Sequence, residues 1–385
     1  MIVIVQYDTL DRLPPVLSLL LCLKSIGERV FFIGLESPAG KEFLRTNQIE
    51  YAFIEYAPLQ IISRGNVPLW KQYVLRAPGF LRRRKALCSL LNRICSEHPD
   101  AIIWFQQLHA AALLGNHYRY FPHRICTLFE LNDRGGSNWI GFDSDEFMHH
   151  TQLVVCEYNR AWIMKSYYKL ETMPFVLTNK PYMHPRHCNI PIPDNVKSVF
   201  DAIGDRPVFL YQGYWDAERR DALKMLEVIA RCRSGYCAVA MPAAQWVEET
   251  LKHYSNAFTI PFIPAPGHLA ITSRATVGVA AYSATTRSSA LGALNSLYCA
   301  PNKIYEYTGY GIPILCNDIP GLRFTVGGAG AGICCEMDEA SILSAADKLV
   351  NERDKYSRNE TCFFDSIDLQ AQVKSILSKV RGAQR

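Results

Sequence analysis

The chain has 385 residues, a formal net charge of +5, and 49% apolar against 20% charged residues. That length exceeds one ordinary core and that balance excludes a disordered chain, so two globular domains are expected. The mild positive charge suits anionic ligands, and nucleic acid is not expected as a partner because no recognised binding module accompanies it.

The 13 cysteines show no CxxC spacing and no regular framework, which predicts reduced thiols, a cytoplasmic setting and no structural zinc. The opening MIVIVQYDTL lacks a basic stretch and a small-residue cleavage site, so it reads as a strand and not a secretion signal. The most apolar later run, VLSLLLCL, is far shorter than the roughly 20 residues of a membrane-spanning helix. Any membrane association is therefore expected to be peripheral, at the inner face of the plasma membrane.

Strands and helices alternate along the chain. MIVIVQY is a continuous apolar run, as in a strand covered on both faces. A helix follows over 14–26, with Pro14 and Pro15 in its first turn and Gly27 at its end. RVFFIGL, IEYAFIEY, DAIIWF, RICTLFEL and QLVVCEY read as further strands, with a helix over 108–118. The proline-rich stretch 181–196 breaks the rhythm as a linker. It restarts with PVFLYQG, a helix over 216–233, YCAVAM, a helix over 244–254, AFTIPFI, a short helix near 267–273, ATVGVAAY and IPILC. An amphipathic segment over 366–381 closes the chain. This alternation predicts α/β architecture with two doubly wound parallel sheets: domain 1–185, domain 186–365 and a closing helix in 366–385. In such sheets ligands bind at the carboxyl ends of the strands, where helix N-termini point.

The densest signal is APNKIYEYTGYGIPILCNDIPGLR, residues 300–323. Asn302 is the expected N-cap of a short helix that Gly309–Gly311 and Pro313 terminate. Lys303 and Glu306 then share one helix face at i, i+3. A lysine at a helix N-terminus suits a phosphate, and a carboxylate one turn later suits sugar hydroxyls. Spacing alone also fits an exposed ion pair. A second signal is FLYQGYWDAERRDALKML, where an apolar strand ends at Gln212–Gly213 and Arg219 and Arg220 follow. Glycine permits close approach of a ligand to the backbone, and guanidinium suits a diphosphate.

PNKIYEY followed by GIPILCNDIPGLR resembles the donor-site signature of GT-B glycosyltransferases of the retaining family-4 group. The resemblance implies the GT-B fold, two Rossmann-like domains facing across a cleft. It implies a glycosyltransferase that uses a nucleotide-diphosphate sugar, UDP- or GDP-linked, with no cofactor and no metal. Glu306 would hold the ribose, while Lys303 and Arg219 or Arg220 would hold the diphosphate. Gly213, Asn302, Ile263 in TIPFIP and Tyr282 in VAAYSATTRSS complete the implied donor set, although core packing also suits Ile263 and Tyr282. One departure is Tyr298, at a position where many members carry a second acid.

Over the first half the resemblance is architectural only. CTLFELNDRGG offers Glu130, Asn132 and Asp133 as candidate catalytic groups at a strand end, with Asn132 near where the family often has a histidine. CEYNRAW places Glu157 and Arg160 at i, i+3. DSD at 143–145 lies in an acidic loop, and a metal site is not expected there. Arg82, Arg83, Arg84 and Lys85 form a basic cluster suited to an anionic membrane or a lipid-linked acceptor, and equally to a solvated helix face. The expected partners are thus a nucleotide sugar and a glycan or lipid-linked acceptor, in polysaccharide or glycoconjugate biosynthesis. Two alternatives share the fold: a sugar-nucleotide epimerase, and an inactive partner protein that has kept the fold without the chemistry.

Overall fold

The computed structural model describes residues 1–54, 69–131, 141–188, 190–215, 220–283 and 289–382, without the side chains of 69–77 and 220. It divides into two units, Met1–Leu177 with Gln370–Arg385, and Thr178–Leu369.

The first unit holds strands β1 (Ile2–Thr9), β2 (Val30–Leu35), β3 (Glu50–Phe53), β4 (Ile102–Gln106), β5 (Arg124–Leu128), β6 (Gln152–Val155) and β7 (Phe175–Val176). The second holds β8 (Val208–Gln212), β9 (Cys237–Met241), β10 (Ala257–Thr259), β11 (Val277–Ala280), β12 (Ile314–Asn317) and β13 (Gly332–Cys335). The sheet orders are β3-β2-β1-β4-β5-β6-β7 and β10-β9-β8-β11-β12-β13. Every pairing is parallel. Strand order reverses between β1 and β4 in one sheet and between β8 and β11 in the other. Those reversals are the topological switch points at which open α/β sheets bind ligands.

The apolar strand runs follow from this burial. Ile2, Val3 and Ile4 are fully buried. In the second sheet, Val208 and Leu210 pack into one core cluster while Phe209 and Tyr211 pack into the other. Successive side chains thus feed opposite faces, both covered by helices. The first helix spans Pro14–Ser25, with proline in its first turn.

The first unit ends at Leu177, ahead of the boundary at 185 read from the linker. The residues just after Leu177 are tied into the second unit. Asn179 Nδ2 donates to Ala300 O at 2.8 Å, Lys180 Nζ to Phe364 O and Ile367 O at 2.6 and 2.7 Å, and Arg186 Nη2 to Tyr310 O at 2.9 Å. The closing helix Leu369–Gly382 belongs almost wholly to the first unit. There Gln370 Nε2 donates to Ser25 Oγ at 3.1 Å and Arg381 forms a two-pronged pair with Glu28. Two short strands escape the sequence reading. β7 has only two residues, and β13 (GICC) follows a glycine-rich turn. Among the described residues no helix is long and apolar enough to cross a membrane.

Candidate functional site

The helix Asn302–Tyr310 connects β11 to β12 and starts beside the β8/β11 switch point. Pro301, in extended conformation, is its N-cap, and Asn302 is the first helical residue instead of the cap. Proline fixes its own φ near the value this entry needs, and no side chain caps the helix. Gly311, in the left-handed region at φ 69°, ends the helix. Lys303 and Glu306 are 6% and 8% exposed, which excludes a surface ion pair on a solvated helix.

Glu306 is held from two sides. Gln212, the last residue of β8, donates its amide Nε2 to Oε2. The Nε2 of His268 lies 3.1 Å from Oε1, and because a carboxylate only accepts, that nitrogen carries the proton. Thr272 Oγ1 donates to Gln212 Oε1 at 2.6 Å and so fixes which way the amide faces. The chain Thr272–Gln212–Glu306–His268 presents a carboxylate in one orientation. Burial pushes the His268 imidazolium down, but the charge and hydrogen bond of Glu306 more than offset it and leave the ring above its ordinary range.

Lys303 lies alongside. Its Nζ is 3.7 Å from the centroid of the Tyr211 ring and 5.5 Å from that of Tyr282, so aromatic faces share in stabilising the charge. Gly213, just past β8, has φ +141°. A Cβ there would stand 2.8 Å from the Lys303 Nζ, so the ammonium occupies the space a side chain would fill. The backbone of Tyr282 is clamped by Asn317 at the end of β12: the Tyr282 N–H donates to Oδ1 at 3.1 Å, and Nδ2 donates to Tyr282 O at 2.9 Å. Ile263 is half-buried and packs against the core cluster on one face of the sheet. Arg219 lies outside the described residues. Arg220 opens the helix Arg220–Cys232, and its side chain is not described. Tyr298 is the C-cap of the helix Ala290–Leu297, its N–H bonded to Leu294 O.

The sequence reading missed His268 and Thr272 and named Gln212 only as a strand end. A polar residue closing a run as apolar as VFLY was the available signal for Gln212. His268 had none, since it follows a proline-glycine turn with no periodic pattern.

In the first unit, Glu130 is exposed just past β5, while Asn132 and Asp133 lie outside the described residues. Glu157 caps the helix Tyr158–Tyr167 by accepting from the Arg160 N–H at 3.0 Å. The buried Arg160 guanidinium donates to Phe129 O, pinning the exit of β5 just before Glu130. Asp143 is likewise a cap, accepting from the Asp145 and Glu146 N–H groups at 3.0 Å each.

The basic cluster is not one face. Arg82 and Lys85 are exposed, whereas Arg83 is 6% exposed. Arg83 Nη2 donates to Tyr7 O at 2.8 Å, and its guanidinium lies 4.6 Å from the Tyr7 ring centroid. Arg84 Nε donates to Leu113 O at 3.0 Å, and burial lowers its pKa. Four consecutive residues span more than one helical turn, so they cannot share one face: Arg83 meets β1 and Arg84 meets the C-cap of the helix Leu108–Ala112. The sequence alone gave no sign of which two.

Within the first unit, Gln6 and Gln106 are the last register partners of β1 and β4, with Gln106 closing β4, and both are almost fully buried. His109 follows close by, its ring 6.1 Å from that of Tyr7 and its pKa lowered by burial.

No protein-family model and no curated protein matches the chain. Solved structures do. The α,α-trehalose-phosphate synthase (UDP-forming) of Burkholderia vietnamiensis is similar at a TM-score of 0.66 and 13% identity, over 99% of this chain and 100% of that one. The E. coli trehalose-6-phosphate structure bound with UDP-2-fluoro glucose gives 0.63 and 11%, over 99% of each chain. A putative UDP-N-acetylglucosamine 2-epimerase of Listeria monocytogenes gives 0.61 and 12%, over 99% of this chain and 97% of that one. The fold is GT-B. At these identities the likeness extends to the architecture of both units and not to any particular side chain.

Proposed function

We propose that the protein transfers a sugar from a nucleotide-diphosphate donor to an acceptor hydroxyl, with retention of configuration, in polysaccharide or glycoconjugate assembly. The observation that carries this reading is the Glu306 carboxylate, oriented by Gln212 and His268 beside the Lys303 ammonium at the β8/β11 switch point. A fixed acceptor next to a fixed positive charge matches the ribose hydroxyls and the diphosphate of one nucleotide, which lie a few bonds apart. Solved structures of this fold that carry UDP or a UDP-sugar support it.

In the reaction, the bond between the anomeric carbon and the diphosphate oxygen breaks. A bond from the acceptor oxygen forms, and the acceptor proton is released. Negative charge grows on the leaving diphosphate. Lys303, and Arg219 or Arg220, meet that charge, and fixed charge already in place is worth most in the transition state. Glu306 holds the ribose so that the anomeric carbon does not wander. Glu130, Asn132 and Asp133 are the candidate catalytic groups of the first unit. Arg82 and Lys85 are the solvent-facing groups available to an anionic membrane or a lipid-linked acceptor.

The epimerase of similar fold supports a second reading, in which the same donor site serves a sugar-nucleotide epimerase. Both readings begin with nucleotide binding. The test is thermal shift and calorimetry with UDP, GDP and their sugars on wild type, Glu306→Ala and Lys303→Ala, followed by turnover assays with acceptors. A ligand that binds only the folded state raises its unfolding temperature. The reading expects stabilisation of wild type and its loss in both variants. Wild-type binding in both folded variants overturns the site. Binding without transfer, but with interconversion of the free sugar nucleotide, selects the epimerase. Binding with neither selects an inactive partner protein.

A further inference from the structure

Cys316 and Cys334 are register partners on the adjacent parallel strands β12 and β13. Their sulfurs are 3.3 Å apart. Neighbouring strands lie about 4.8 Å apart, at the short end of the Cα separations a disulfide spans. Both side chains point to the same face, Cys316 inside the core cluster there and Cys334 packed against it. Cys335 belongs to the opposite face, so it cannot compete from the same side of the sheet. Cys316 is fully buried, while Cys334 is partly open to solvent.

We propose that Cys316 and Cys334 form a reversible disulfide, with Cys334 as the attacking thiol and a small-molecule disulfide such as oxidised glutathione as the oxidant. Cys334 thiolate attacks one sulfur of the oxidant, and one glutathione thiolate leaves. Cys316 then gives up its proton and attacks the Cys334 sulfur of the mixed disulfide, expelling the second glutathione. Two protein thiols are oxidised, one glutathione disulfide is reduced to two thiols, and no other reactant is needed.

The order of attack follows from the surroundings. A hydrogen bond from Cys316 lowers the pKa of Cys334 against burial and the nearby Asp318 carboxylate, whereas Cys316 is raised. The thiolate is the nucleophile, so the lowered and accessible sulfur reacts first. The bond reverses by the same exchange, because reduced glutathione can attack the sulfur of Cys334, which is partly open to solvent. The bond would draw in the end of β12, where Asn317 clamps Tyr282.

The experiment is peptide mapping of the intact wild-type protein after incubation with oxidised glutathione, with and without later reduction. Arg323 lies between the two cysteines, so trypsin separates them onto different peptides. The expected product is one cross-linked pair, with fragment ions placing the link at Cys334 and not Cys335, lost on reduction. In Cys316→Ser, glutathione should remain trapped on Cys334. The exposed Cys362 reports modification that needs only access. A wild-type map with Cys316 still free and glutathione resting on Cys334 or Cys362 overturns the proposal. So does a link to Cys335 or Cys299. The wild-type map decides even if the serine variant fails to fold.

Discussion

The His268 ring donates a hydrogen bond to Glu306 at 3.1 Å, and their side chains are only 16% and 10% exposed. Burial alone would discharge the imidazole, and only the adjacent carboxylate keeps its pKa up. Removing the Glu306 charge while keeping its shape, as in Glu306→Gln, therefore leaves burial unopposed. The His268 pKa should be above about 6.5 in wild type and below it in the variant. An NMR titration of the ring protons reads this directly. Because the folded pKa is raised, the stabilisation from this pair is complete below the unfolded value and fades as pH rises through the folded one. A ring titrating identically in both proteins would show that the contact is not made in solution.

The Gln212 amide is the other hold on Glu306, and Thr272 sets its direction. Gln212→Leu keeps approximate size and removes both hydrogen bonds. A hydrogen bond to a charged group contributes about 1.5–3 kcal/mol. If the carboxylate must be held still to receive a ribose, nucleotide affinity should fall roughly 10- to 100-fold, since 1.4 kcal/mol is about tenfold. Calorimetric titration of the folded variant with the nucleotide that wild type binds gives the number. Unchanged affinity would mean His268 alone suffices to position Glu306.

Two glycines beside the site should fail in different ways. A Cβ at Gly278 in β11 would lie 2.3 Å from the Tyr307 ring. Tyr307 is fully buried, and its hydroxyl donates to Leu210 O at 2.8 Å. Gly278→Ala forces the ring out of a packed core and should cost about 1–3 kcal/mol of stability. At Gly213 the obstructing atom is the end of the flexible Lys303 side chain. Gly213→Ala should displace that ammonium and reduce nucleotide affinity more than Gly278→Ala does, with strain at φ +141° added to its stability cost. Denaturant midpoints and binding constants for both variants separate the effects. Equal loss of affinity per unit of lost stability would remove the special role of Gly213.

The fold was legible because both sheets are parallel and doubly covered, so their strands are unbroken apolar runs such as IVIV and VFLY. The strands that escaped, β7 and β13, are short and sit at sheet edges. In the candidate site, Lys303 and Glu306 stood out through the resemblance of PNKIYEY and the strand after it, and Gly213 as a glycine closing an apolar strand. Their partners did not. His268 and Thr272 reach Glu306 and Gln212 from the short helix Leu269–Thr272 packed on the same face of the sheet, 38 and 60 residues away in sequence. The inward turn of Arg83 and Arg84 was hidden for a similar reason: a run of basic residues looks alike on either face of a helix until the strand and helix end that it packs on are known.

Glu360 offers a test of stability apart from any ligand. It sits on the helix Arg353–Ser366, which packs on the helix Asn302–Tyr310. It is 0% exposed, and neither carboxylate oxygen has a hydrogen-bond partner among the described residues. Burial raises its pKa well above the ordinary glutamate value. The folded state therefore holds the proton at pH values where the unfolded chain has released it. Its contribution is intact below the unfolded pKa, about 4.3, and is lost as pH rises toward the folded one. Glu360→Gln keeps the volume and cannot ionise. Each unit of raised pKa is about 1.4 kcal/mol, so the variant should gain on wild type by at least that much between pH 4.5 and about pH 7. An unpaired buried amide costs the same at every pH, so the change in the gap isolates the charge. Urea midpoints at several pH values measure it. A gap that stays constant with pH would mean that Glu360 has found a partner or water in solution and ionises normally.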